Sequence, residues 1–139
     1  MQTGLPGPLD NASRKLGMEL LEVAPGFARS RMRVREDMTI AQKIGHGGHT
    51  FTLADSTFAY TYNSRNRVAL AAGCAIDFLR PARLDDMLTA TATEQSLNGR
   101  NGIYDVRVEN QDGELVALFR GKSTQIKGTV IEGPSMDAA

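Results

Sequence analysis

The stretch His46 to Asn63, HGGHTFTLADSTFAYTYN, constrains the fold most, because the rest of the chain reads as wrapping for it. On a helical wheel at about 100° per residue with Phe51 at zero, Ala54, Phe58 and Tyr62 fall within about 60° and Ala59 at about 80°. These residues are the expected core face. Asp55 falls at about 40°, inside that stripe and away from the side of Thr52, Ser56 and Tyr60.

An unpaired carboxylate on a buried stripe costs several kcal/mol, which leaves three readings of Asp55: a locally satisfied structural acid, a protonated acid, or a group kept for chemistry. Gly47 and Gly48 stand just before the helical pattern, so the helix is expected to begin with bare backbone whose N–H groups have no intrahelical acceptor. Those donors and the positive end of the helix dipole suit an oxyanion. Gly48 lies two turns before Asp55 on the same face, about 10 Å away at ~1.5 Å per residue.

At 139 residues the chain is expected to be one domain spanning 1–139, with its core in about 15–126 and flexible tails. Sixteen Lys+Arg balance sixteen Asp+Glu, which argues against nucleic acid as a generic partner. No run approaches the ~20 apolar residues of a membrane span and the N-terminus has no signal-like pattern, so a cytoplasmic protein without membrane partners is expected. Cys74 is the single cysteine. Within an apolar run it reads as a small core residue.

In chain order, a Gly- and Pro-rich opening precedes a short helix from Asp10 to Leu16, with Asp10 capping its start and Gly17 its end. Met18 to Val23 is an apolar run and Pro25-Gly26 a turn. From Phe27 to Arg35 the pattern alternates, with Ala28, Ser30, Met32 and Val34 on one side and Arg29, Arg31, Arg33 and Arg35 on the other. That arginine row is either a phosphate-binding stripe or a solvated strand face beside acidic neighbours. Val68 to Arg80, apolar on both faces except at Asp77, is expected inside a sheet covered on each side, its small residues letting a helix or another chain approach closely. Met87 to Leu97 alternates in strand fashion, and Asn98-Gly99 signals a hairpin. Gly102–Asn110 and Leu115–Ile126 form the next pair about Gln111-Asp112-Gly113. The tail from Lys127 is expected to fray. Two strands, one long helix and four more strands make an α+β domain, the helix lying inside a curved antiparallel sheet that is extended across a partner.

HGG followed at fixed distance by LAD and FAY resembles the signature of the hotdog-fold acyl-CoA thioesterases, in particular the phenylacetate-degradation subfamily. KLGMELLEV, AAGCAIDFLRPAR and NGIYDVRVENQDGELVALFRGKS extend the likeness over roughly Lys15 to Ile126. The resemblance implies a hotdog fold, a homodimer with two active sites at the subunit interface, usually paired into a homotetramer, and hydrolysis of acyl-CoA thioesters with aromatic acyl groups such as phenylacetyl and its hydroxylated relatives. It places the catalytic carboxylate on Asp55 and the oxyanion-binding amide on Gly48, reached through His46 and Gly47. It implies no metal or redox cofactor, coenzyme A being part of the substrate. The family usually carries an Asn fifteen residues before the acid; this chain has Ile40 there, with Gln42 nearby as a substitute.

Asp55 acts in this reading either as general base on water or as a nucleophile giving a mixed anhydride. Because 10 Å along one helix exceeds attacking distance, the base is expected from the facing subunit. His46 is read as fixing the loop and His49 as a surface residue. Phe58, Tyr62 and Asn63 are candidates for the acyl pocket, with core packing the competing role of the two aromatics. Arg80, Arg83, Arg120 and Lys122 are candidates for the CoA phosphates or else ordinary strand-end charges. A hotdog dehydratase, using His46 or His49, would release no thiol from a saturated acyl-CoA. A non-catalytic acyl-CoA-binding module would keep the pocket and not need Asp55.

Overall fold

The computed structural model describes residues 10–129 and 133–134. The Gly- and Pro-rich opening and most of the tail lie outside the described residues. Asp10 caps helix α1 (Asn11–Lys15) by accepting from the Ser13 N–H at 2.8 Å, and Gly17 leaves it at φ +73°. Strands β1 (Glu19–Ala24) and β2 (Phe27–Arg33) follow, turning at Gly26 with φ +77°. Two short 3-10 turns, Glu36–Met38 and Ala41–Lys43, lead into helix α2 (Gly47–Tyr62). The chain ends in β3 (Ala69–Phe78), β4 (Met87–Asn98), β5 (Asn101–Glu109) and β6 (Leu115–Gln125).

The six strands form one antiparallel sheet in the order β1-β2-β4-β5-β6-β3. Inward residues Met32, Leu88, Ala90, Ala92, Val106, Val108 and Phe119 close over α2, burying a continuous apolar core. This is the α+β hotdog arrangement the motifs implied. Among the described residues no helix is long and apolar enough to cross a membrane.

Three expectations are corrected. β3 is the sheet's edge rather than a covered interior strand: it pairs with β6 alone, and Leu70 and Phe78 stay 52% and 54% exposed. Among the described residues much of its apolar surface therefore stays open, with only Ala69 buried and Ile76 partly packed on the core, and Cys74 on it is exposed rather than in the core. The buried face of α2 is also turned, by about 90° from Phe51 on the same wheel. Its centre is Thr50, Leu53, Ala54, Thr57, Phe58 and Thr61. Thr57 and Thr61 can be buried because each hydroxyl donates to the carbonyl four residues back, at 2.7 and 2.8 Å.

The arginine row is a solvated face. Arg29, Arg31, Arg33 and Arg35 pair with Glu22, Glu19, Asp85 and Asp37 at 2.7–3.2 Å. No free stripe remains for phosphate.

Candidate active site

With α2 turned, Asp55 lies on the helix flank beside Phe51, Ala59 and Tyr62, half-buried instead of central to the core. That flank faces β3. The Gly47 backbone meets the Phe78 ring, the Asp55 charge acts on Cys74, and the Tyr62 hydroxyl lies against the Ala71 main chain. The steps agree: Gly47 to Asp55 to Tyr62 rises about 12 and 22 Å along a helix, and Phe78 to Cys74 to Ala71 about 13 and 23 Å along a strand. Helix flank and edge strand therefore run antiparallel as the two walls of a trough that α2, lying mainly across β2, β4 and β5, leaves uncovered.

The Asp55 carboxylate makes no hydrogen bond or ion pair among the described residues, and burial pushes its pKa above the usual carboxylate value. Burial, and secondarily the Asp55 charge, also push up the Tyr62 hydroxyl and the Cys74 thiol. Of the three readings of Asp55, the locally satisfied structural acid finds no partner among the described residues.

At the other end of the trough, His46 is the N-cap of α2, and its Nδ1 accepts from the Gly48 N–H at 2.8 Å. The helix start is thus not wholly bare: the Gly48 donor is occupied in this chain, while the Gly47 N–H has no acceptor among the described residues. His46 does hold the loop as expected, edge-on to a half-buried His49 with ring centroids 6.1 Å apart. A cleft of about 490 Å³ opens here, lined by Ile44, Gly47, Thr50, Phe78, Arg80 and Val116 among others. Asp55 does not line it, so one chain supplies an anion-receptive cleft and a carboxylate that do not meet.

The other candidates divide. Phe58 is fully buried against Tyr62, Tyr104 and Phe119, which is core packing. Tyr62 is half-buried on the Asp55 flank. Asn63 caps the end of α2 and its side chain accepts from the Ala69 N–H at 3.1 Å, which commits it to the fold rather than to substrate. Gln42 is exposed, at φ +62°, in the loop that also leaves Ile40 54% exposed. Arg120 grips Asp105 in two bonds of 2.6 and 2.8 Å on the outer face of the sheet, away from the trough, and Arg80 pairs with Glu114 at 3.5 Å. The side chains of Arg83 and Lys122 have no acidic partner among the described residues. Phe78 was missed. Its place within an apolar run made it look like strand filling, and only its packing on Gly47 sets it apart.

Among the described residues no group of His, Cys, Asp and Glu is placed to hold a metal ion.

The model of the thioesterase superfamily matches residues 42–117. The chain is 43% identical over 121 residues to the acyl-coenzyme A thioesterase PaaI of Escherichia coli K12, spanning 87% of this chain and 86% of that protein. The structure of the E. coli PaaI protein from the phenylacetic acid degradation operon aligns with TM-score 0.85 over 86% of this chain and 87% of that one. A mutant of the phenylacetic acid degradation protein PaaI from Thermus thermophilus, 37% identical, aligns with TM-score 0.81 over 84% of this chain and 100% of that one.

Proposed function

This chain belongs to the thioesterase superfamily and is a thioester hydrolase on the hotdog fold, and from that premise we propose that it hydrolyses acyl-CoA thioesters with aromatic acyl groups of the phenylacetyl and hydroxyphenylacetyl kind. The observation that carries the reading is Asp55: a half-buried carboxylate with no hydrogen bond or ion pair among the described residues, its pKa raised by burial, on the wall of an open trough. Leaving such a group unpaired stabilises nothing, so its place is explained by chemistry.

The thioester carbonyl docks at the start of α2, accepting from the Gly47 N–H. The Gly48 N–H joins when the developing oxyanion displaces the His46 ring from it. Oriented donors of this kind are each worth roughly 3 to 4 kcal/mol of barrier. Ionised Asp55 takes a proton from water as the hydroxyl oxygen attacks the carbonyl carbon. Collapse of the tetrahedral oxyanion breaks the C–S bond, and the departing CoA thiolate takes the proton back, leaving the free acid. Since Gly47 and Asp55 of one chain are about 12 Å apart at 1.5 Å per residue, the Asp55 that activates the water belongs to a second copy, joined along the exposed edge of β3. Of the four candidate cations Arg83 is the one left to meet the CoA phosphates, Arg80 and Arg120 being held by acids and Lys122 standing on the same outer face as Arg120.

A panel of aromatic and aliphatic acyl-CoAs, with release of free thiol as readout, tests reaction and substrate class together. Aromatic thioesters are expected to turn over fastest. Equal hydrolysis by Asp55→Ala and the parent protein would sink the mechanism.

A further inference from the structure

Phe78 ends β3 on the helix-facing side, since its register partner Ala117 is wholly buried there. Over half of its surface is nonetheless open, at 54% exposure. The covered part rests on Gly47: a Cβ built there would stand 3.0 Å from Phe78 Cζ and 3.3 Å from Cε1. Bare backbone at Gly47 is thus what lets the ring approach the first turn of α2. The same residue carries the N–H that has no acceptor among the described residues. A carbonyl oxygen hydrogen-bonded to that N–H at an ordinary ~2.9 Å holds its substituents within van der Waals reach of the ring. Beyond Phe78 the cleft continues along Ile44, Leu79, Pro81 and Ala82, apolar side chains with room for a planar group.

We propose that Phe78 is a specificity-determining residue, its open ring face packing against the acyl group of the docked thioester and favouring aromatic acyl groups over aliphatic ones of similar size. The inference rests on the thioesterase reading above and adds the residue that selects the acyl class. A purely structural Phe78 would keep its ring covered, and Leu53, Phe58 and Phe119 show how this chain buries side chains meant only for packing. Aromatic faces gain from each other beyond the area they cover. Leucine at the same position offers apolar contact without that gain.

The experiment compares kcat/KM of the parent protein, Phe78→Leu and Phe78→Tyr for phenylacetyl-CoA and hexanoyl-CoA. It pairs this with binding of two non-hydrolysable S-linked ketone analogues, phenacyl-CoA and an alkyl ketone of matched length. Phe78→Leu is expected to lower the aromatic-to-aliphatic ratio about three- to tenfold in both readouts, and Phe78→Tyr to leave it within about twofold. Both variants should keep the parent's melting temperature, the ring being largely exposed. An unchanged ratio with Phe78→Leu overturns the proposal, and so does an equal loss for both CoA esters that vanishes with truncated N-acetylcysteamine thioesters, which would put the pantetheine on the ring. A parent protein that binds phenacyl-CoA in a ring-dependent way and releases no thiol from any ester would refute the hydrolase mechanism and leave the Phe78 contact standing.

Discussion

Asp55 carries a stability cost whose pH dependence can be read. Burial holds its proton more tightly in the folded protein than in the unfolded chain, so stability falls as pH rises from the ordinary carboxylate value through the raised one. The cost is absent below the ordinary carboxylate pKa of about 4 and complete only above the raised one. Asp55→Asn is therefore predicted to raise the melting temperature at pH 7 and to leave it unchanged at pH 3. The gain is held to about 1 kcal/mol or less because half the group reaches water. A gain of equal size at both pH values would trace it to packing instead. The same substitution removes the base, and kcat for phenylacetyl-CoA should drop by about 10²- to 10⁴-fold while KM changes little. In the parent protein the acid limb of kcat/KM should lie above the usual carboxylate range. His46 is a separate case. Its Nδ1 holds the Gly48 N–H, so His46→Ala should cost about 1 kcal/mol in denaturant unfolding, as loss of a helix cap does.

The elements show what could be read from the chain and what could not. The bounds of α2 were legible from the HGG punctuation and the helical spacing, and the turns at Gly26, Gly99 and Gly113 from residues that accept positive φ. The rotation of α2 was not, because hydropathy counts Thr50, Thr57 and Thr61 as polar. The burial of Thr57 and Thr61 depends on the i−4 carbonyls and, for Thr57, on Ser30 Oγ across the core. The fate of β3 was hidden for a different reason: an apolar strand at the edge of a sheet and an apolar interior strand have the same composition. The contact between α2 and β6 offers a test of the observed rotation. A Cβ at Gly121 would stand 2.6–2.8 Å from the Phe58 ring, and the ring has core on its other sides. Gly121→Ala is predicted to destabilise by about 1–3 kcal/mol through overpacking. Its denaturant midpoint should fall with the slope unchanged. A neutral result would mean that Phe58 does not face β6.

At the scale of the whole molecule, neither the trough nor the exposed row on β3 is complete in one chain. A free, apolar strand edge invites pairing with another strand, and the second copy that would cover it also brings a carboxylate to a cleft that lacks one. This arrangement is testable with two inactive chains. Asp55→Asn keeps the glycine amides and loses the base. Gly47→Val keeps the base, and its side chain would press into Phe78 and the docking space at the helix start. In a mixed dimer with shared sites, one site joins intact amides to an intact Asp55 and the other joins the two defects. Mixed dimers isolated through two different tags are thus predicted to recover about half the parent's turnover, since one of two equivalent sites is whole. If each chain worked alone, both members of the pair would be dead and the mixture no more active than either variant. A mixed dimer that forms and stays inactive would return both halves of the chemistry to a single chain, across a distance of about 12 Å that no proton transfer spans unaided.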